Sequence, residues 1–236
     1  MRKSLIMGAL LAGTFATVPA SAQVVFSDGF EGDALGAPQP SLVNWDVVRG
    51  SVDIVGSGDS FNLPCAGGAR CLDLDGTTNA GGEIVTRDSF SFAAGNLVTL
   101  TFDLAGSQRG DAPNPFSAGF RFGGLTDVLQ FTPGGGFGTV DPTNGLGLSQ
   151  LFYNGTVSSD SPYTSYTLSF RVGQAGSLQT FFNTGSADNI GPLLDNVSLS
   201  IAAVPEPATW AMMIGGIGAV GGTLRRRKAK VSVRFA

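Results

Sequence analysis

The chain has 236 residues, no histidine, and a formal net charge of -4 from 14 Lys and Arg against 18 Asp and Glu. Without histidine, Ser-His-Asp and Cys-His catalysis and histidine-ligated zinc are excluded. Residues 23–204 hold six Arg, no Lys and seventeen acids, a net charge of -11, which repels phosphate backbones and argues against nucleic acid as a partner.

The N-terminus reads MRKSLIMGALLAGTFATVPASAQ. Arg2 and Lys3 precede an apolar run over residues 5–18, and Ala20-Ser21-Ala22 is an A-x-A cleavage site. This pattern predicts an export signal peptide over residues 1–22 and a mature chain starting at Gln23. A retained membrane anchor is the alternative, and the short run ending in a cleavage site disfavours it.

Residues 23–204 form the folded unit. Short β-rich runs alternate there with Gly, Asp, Asn and Pro clusters. Candidate strands cover 24–26, 45–55 (broken at Gly50-Ser51), 71–76, 82–90, 97–105, 118–124, 148–155, 163–172, 177–185 and 193–202. Leu100, Phe102 and Leu104 share one face of a strand while Thr99, Thr101 and Asp103 share the other. Tyr166, Leu168 and Phe170 repeat the alternation. No amphipathic helix interrupts the series, so the prediction is an all-β sandwich. Two long irregular stretches, 105–119 and 131–147, join strands, and the second has room for a short hairpin around residues 137–140.

The two cysteines stand in LPCAGGARCLDLDG. Export places them in an oxidising space, which predicts a Cys65–Cys71 disulfide around a Gly-rich loop. The spacing does not fit a CxxC redox site. Asp73 and Asp75 lie on one strand face, as a metal or acid–base pair or, more simply, as solvated residues running into a Gly76 turn. Tyr153, Tyr163 and Phe116 are candidate sugar platforms, and Arg109 and Asp111 are candidate glycan contacts or a solvated loop tip. Trp45 begins a strand and reads as core.

The stretch PEPATWAMMIGGIGAVGGTLRRRK occupies residues 205–228. Residues 208–224 are uncharged and reach roughly 25 Å as a helix, a little short of a bilayer core. Arg225-Arg226-Arg227-Lys228 follows directly, which by the positive-inside rule orients a single C-terminal transmembrane helix with residues 229–236 as a cytoplasmic tail.

Pro205-Glu206-Pro207, then Trp210, a short Gly-rich hydrophobic stretch and Arg225-Arg226-Arg227, resembles the PEP-CTERM sorting signal. The resemblance implies a Gram-negative, exopolysaccharide-producing bacterium. It also implies an exosortase as partner, inner-membrane anchoring of the precursor, and release or transfer to the cell surface. The tail AKVSVRFA is longer than such signals usually carry.

FSDGFEGD near the start of the mature chain and LLDNVSL in the last strand resemble the bounding motifs of galactose-binding-like jelly rolls, including carbohydrate-binding modules. The resemblance implies a jelly-roll β-sandwich with Phe30 in the core. It also implies a structural calcium held by Glu31 and Asp195, with Asp28 as a further candidate. No other cofactor is expected. The functional expectation is a non-catalytic, exported surface or matrix protein associated with exopolysaccharide. The alternatives are a carbohydrate-active lyase or hydrolase and a purely structural biofilm protein. No glycan-binding residues are assigned by either resemblance.

Overall fold

The computed structural model describes residues 22–123, 140–142, 150–186, 188–203 and 207–226. The body of the signal peptide, Pro205, Glu206, Arg227 and the tail 229–236 lie outside the described residues.

Among the described residues, thirteen strands form two antiparallel sheets. Sheet 1 contains β1 (Gln23–Asp28), β3 (Asp53–Gly56), β4 (Arg70–Asp73), β7 (Leu97–Ala105), β11 (Thr164–Arg171) and β13 (Leu193–Ala202). Its order is β11-β7-β13-β4-β3, with β1 also paired to β13. Sheet 2 contains β2 (Trp45–Arg49), β5 (Glu83–Thr86), β6 (Phe90–Phe92), β8 (Asn114–Gly123), β9 (Val140–Pro142), β10 (Gln150–Val157) and β12 (Gly176–Thr184). Its order is β2-β5-β12-β8-β10-β9, with β6 also on β12.

Period-two alternation places the core. Val98, Leu100, Phe102 and Leu104 of β7 are buried, while Thr99, Thr101 and Asp103 between them are partly exposed. Leu168 and Phe170 of β11 face the same core, in register with Leu100 and Val98. From the other sheet come Trp45, Phe120, Leu178 and Phe182. Burying each of the large aliphatic or phenyl side chains contributes roughly 1.5–3 kcal/mol. The rings also interlock edge to face: Phe102 meets Phe182 at 4.9 Å, and Trp45 meets Phe182 at 5.8 Å.

Strands β7 and β13 match their sequence-based bounds, and most others shift by one to four residues. The stretch 45–55, read as one broken run, divides between the sheets. β2 joins sheet 2 and β3 joins sheet 1. Gly50 makes the crossing at φ 58, and a Cβ there would lie 2.2 Å from the carbonyl oxygen of Ala80. The run 82–90 also divides, because β5 and β6 pair with different parts of β12. The predicted hairpin near 137–140 falls largely outside the described residues, but β9 does pair with β10.

The sorting stretch forms helix α1 (Pro207–Arg226). The expectation of a transmembrane helix is corrected: among the described residues no helix is long and apolar enough to cross a membrane. Five glycines and Thr223 dilute the apolar stretch, and the basic run cuts it short.

Candidate functional site

The bounding motifs do meet in space. β1 lies antiparallel to β13, pairing Asp28 with Val197 and Phe26 with Leu199. β13 is irregular between Asp195 and Ser198, where its register on β7 shifts. Asn196 takes φ 49 at this bulge, and Asp195 is fully buried on the face that the disulfide loop covers.

The three predicted calcium ligands do not form one cage. Asp28 Oδ1 accepts from the Phe30 amide at 2.8 Å. Its Oδ2 accepts from Trp45 Nε1 at 2.8 Å and from Asn44 Nδ2 at 3.1 Å. Asp28 therefore holds the turn in which Phe30 sits at φ 59, a costly conformation for a bulky residue. It also fixes the indole that stacks against Phe30 at 6.2 Å.

Glu31 and Asp195 come together elsewhere, against the Gly-rich loop. Asp195 Oδ2 accepts from the Gly67 amide at 2.9 Å and its Oδ1 from the Asn196 amide at 2.7 Å. Glu31 Oε1 accepts from the Arg70 amide at 2.9 Å. Burial, with the charge of Glu31 adding to it, raises the Asp195 carboxyl despite these hydrogen bonds. Among the described residues no three His, Cys, Asp or Glu side chains gather as a metal cage.

Cys65 and Cys71 form the disulfide, with their Cα atoms 5.5 Å apart. It closes the loop over the outer face of sheet 1. Val55, Leu63, Cys71, Ala105 and Leu193 form a second apolar cluster there, with Tyr163 packed against it. Tyr163 is thus no exposed sugar platform. Its hydroxyl is buried, and burial followed by the charges of Asp195, Asp103 and Asp73 pushes its pKa up.

Asp73 and Asp75 are not solvated, as the simpler sequence reading expects; both are fully buried. The loop after β7 and the segment before β13 cover them. Asp73 pairs with Arg109 and accepts from the Asp75 and Gly191 amides, each at 3.0 Å. Burial pushes Asp73 up to about 7 in spite of that guanidinium, and pushes Asp75 up to about 6. Arg109 is therefore no free loop tip. Its guanidinium lies over the Phe61 ring at 5.5 Å and reaches inward to Asp73. Asp111 accepts from Ser107 and Asn114. Partial burial opposes its ionisation, but these hydrogen bonds prevail and lower its pKa.

A depression of about 560 Å³ lies on sheet 2. Ser117 of β8, Asn154 and Thr156 of β10 and Asn183 of β12 line it, together with Phe116 and Tyr153, whose rings pack toward the core. Phe116 is only 3% exposed, so its ring is shared with the core. Ser117 donates to Asn154 Oδ1 at 2.6 Å. Two of the three platform candidates therefore meet here. Sequence reasoning did not assign the amide and hydroxyl rim. Its signal was the outward half of the alternation in three strands, visible only once their register is known. Further along the same sheet, Arg49 and Arg121 share Glu83, and Arg121 lies over Phe181 at 5.5 Å.

No curated protein matches the chain. Among solved structures, the chain is similar to the CBM22-1 xylan-binding domain of Paenibacillus barcinonensis Xyn10C. That pair has 15% identity and a TM-score of 0.46, covering 80% of this chain and 100% of the other. It is also similar to the K3 cleaved adhesin domain of Lys-gingipain from Porphyromonas gingivalis, at 13% identity and a TM-score of 0.44, covering 75% of this chain and 98% of the other. At its C-terminal end the chain carries a PEP-CTERM protein-sorting motif, matched over residues 203–228.

Proposed function

We propose that this is an exported cell-envelope protein, sorted by an exosortase, whose jelly-roll sandwich associates with exopolysaccharide without cleaving it. The sorting motif supports export and processing at the envelope of a Gram-negative bacterium. The depression on sheet 2 carries the glycan reading. A rim of amides and hydroxyls suits a sugar, which presents hydroxyl edges to be hydrogen-bonded. Among the described residues no Asp or Glu lines that depression, whereas glycoside cleavage ordinarily needs two carboxylates flanking the bond. A calcium ion between Glu31 and Asp195 is a proposal of the same kind. It is supported by the proximity through which Glu31 raises Asp195.

Affinity electrophoresis through gels containing the producing strain's exopolysaccharide tests the reading. The exported protein should be retarded, and the Asn154→Ala/Asn183→Ala double variant should bind at least tenfold more weakly. Unretarded wild-type protein would leave the purely structural alternative. Release of reducing ends would make the protein an enzyme.

A further inference from the structure

We propose that Asp75 and Asp188 hold a hard divalent cation, calcium, which pins the segment between β12 and β13 to the end of β4. Asp75 lies two residues beyond the end of β4 and is fully buried. Its Oδ2 accepts a hydrogen bond from Ser186. Its Oδ1 is buried and has no hydrogen-bond partner. The carboxyl group of Asp188 lies within hydrogen-bonding reach of Asp75, and the charge of Asp53 acts on the same group.

Two ionised carboxylates have no proton to offer each other, so such a contact requires a proton or a cation between them. The guanidinium of Arg109 is committed to Asp73. Asp188 is held in place by its own turn, where its Oδ1 accepts from the Ile190 amide at 3.2 Å. It is exposed, so the site opens to solvent on that side. The available donors are carboxylate and hydroxyl oxygens, the hard set that calcium takes, with water completing the shell. Neither Asp75 nor Asp188 belongs to the Glu31–Asp195 clasp on the disulfide loop.

The site ties together two segments more than a hundred residues apart, as the Ser186–Asp75 hydrogen bond already shows. A cation there would favour the folded state over the unfolded one and make stability calcium-dependent.

The test is calcium titration of the full-length exported protein by calorimetry, with melting curves in chelator and in calcium. The variants are Asp188→Asn, Asp75→Asn and Asp195→Asn. Wild-type protein should bind calcium and melt higher with it. Asp188→Asn changes an exposed residue, so the fold is retained. It should weaken that binding at least tenfold, and in chelator it should melt at or above wild type because a carboxylate repulsion is gone. Asp75→Asn should lose the same ion, while Asp195→Asn should keep it. Three results would each overturn the proposal. Wild type binds no calcium, the pair then sharing a proton instead. Asp188→Asn binds calcium as wild type does. Or the loss is confined to Asp195→Asn.

Discussion

The amide of Gly67 donates to Oδ2 of Asp195 across 2.9 Å, joining residues 128 apart in the chain. The acid that the jelly-roll resemblance marks as a calcium ligand thus also anchors the disulfide loop. Asp195→Ala removes the acceptor of two partly buried hydrogen bonds, from the Gly67 and Asn196 amides, and should cost about 1–3 kcal/mol. A Cβ at Gly67 would lie 2.1 Å from Asn196 Oδ1, so Gly67→Ala must displace the loop or the Asn196 side chain with its hydrogen bond to Asp103, and should cost about 1–3 kcal/mol. Chemical denaturation of both variants checks this. Wild-type midpoints would show that the clasp contributes nothing.

Asp28→Ala leaves Trp45 Nε1 and the Phe30 amide without their acceptor. We expect a loss of about 2–3 kcal/mol and a shift in the emission of the buried Trp45. Trp45→Ala, which empties the centre of the core, should cost about 3–5 kcal/mol. An Asp28→Ala protein with an unchanged melting temperature would mean that water replaces the carboxylate.

Peptide mapping of the exported protein without reductant should recover Cys65 joined to Cys71. Reduction should destabilise the fold by at most about 2–3 kcal/mol, because the closed loop is short. Amide exchange at Gly67 and Arg70 should accelerate on reduction, since both amides are gripped by acids across that loop. Free thiols in freshly isolated protein would remove the covalent half of the clasp.

Asp73 and Asp75 have folded-state pKa values of about 7 and about 6, raised from 3.8 chiefly by burial. Between those limits the folded state binds more protons than the unfolded state, so stability falls as pH rises. In chelator, the denaturation midpoint should decline from pH 4 to pH 7, and Asp75→Asn should flatten the part of that decline below about pH 6, leaving the part that Asp73 carries up to about pH 7. A midpoint that rises across this window would show that the two carboxyls are not held in this way. Calcium should flatten the same decline, because an ion between Asp75 and Asp188 favours the ionised form of Asp75.

In a host with an exosortase, intact-mass measurement of the surface or secreted form should show the sorting motif removed. A mature mass that still includes residues 208–228 would reject processing.

Much of the sandwich was legible in the sequence because period-two alternation is a local signal. Strands β7 and β13, with Leu100, Phe102, Leu199 and their outward Thr and Ser neighbours, could be drawn from single stretches of chain. The Cys65–Cys71 pairing and the sorting motif were likewise local patterns. Side-chain partners at long range were not. Nothing within DLDG distinguishes a solvated turn from a buried acid pair. That was decided by Arg109 arriving from the loop after β7 and by Ser186 and Gly191 arriving from the segment before β13. The same holds for Asp28, Glu31 and Asp195. Their residue types suit calcium, but the bulge in β13 and the position of the disulfide loop decide which two converge and which one holds Trp45. Alternation assigns a residue to a face of its own strand. Only sheet order, register and the loops folded over that face decide what the residue meets there.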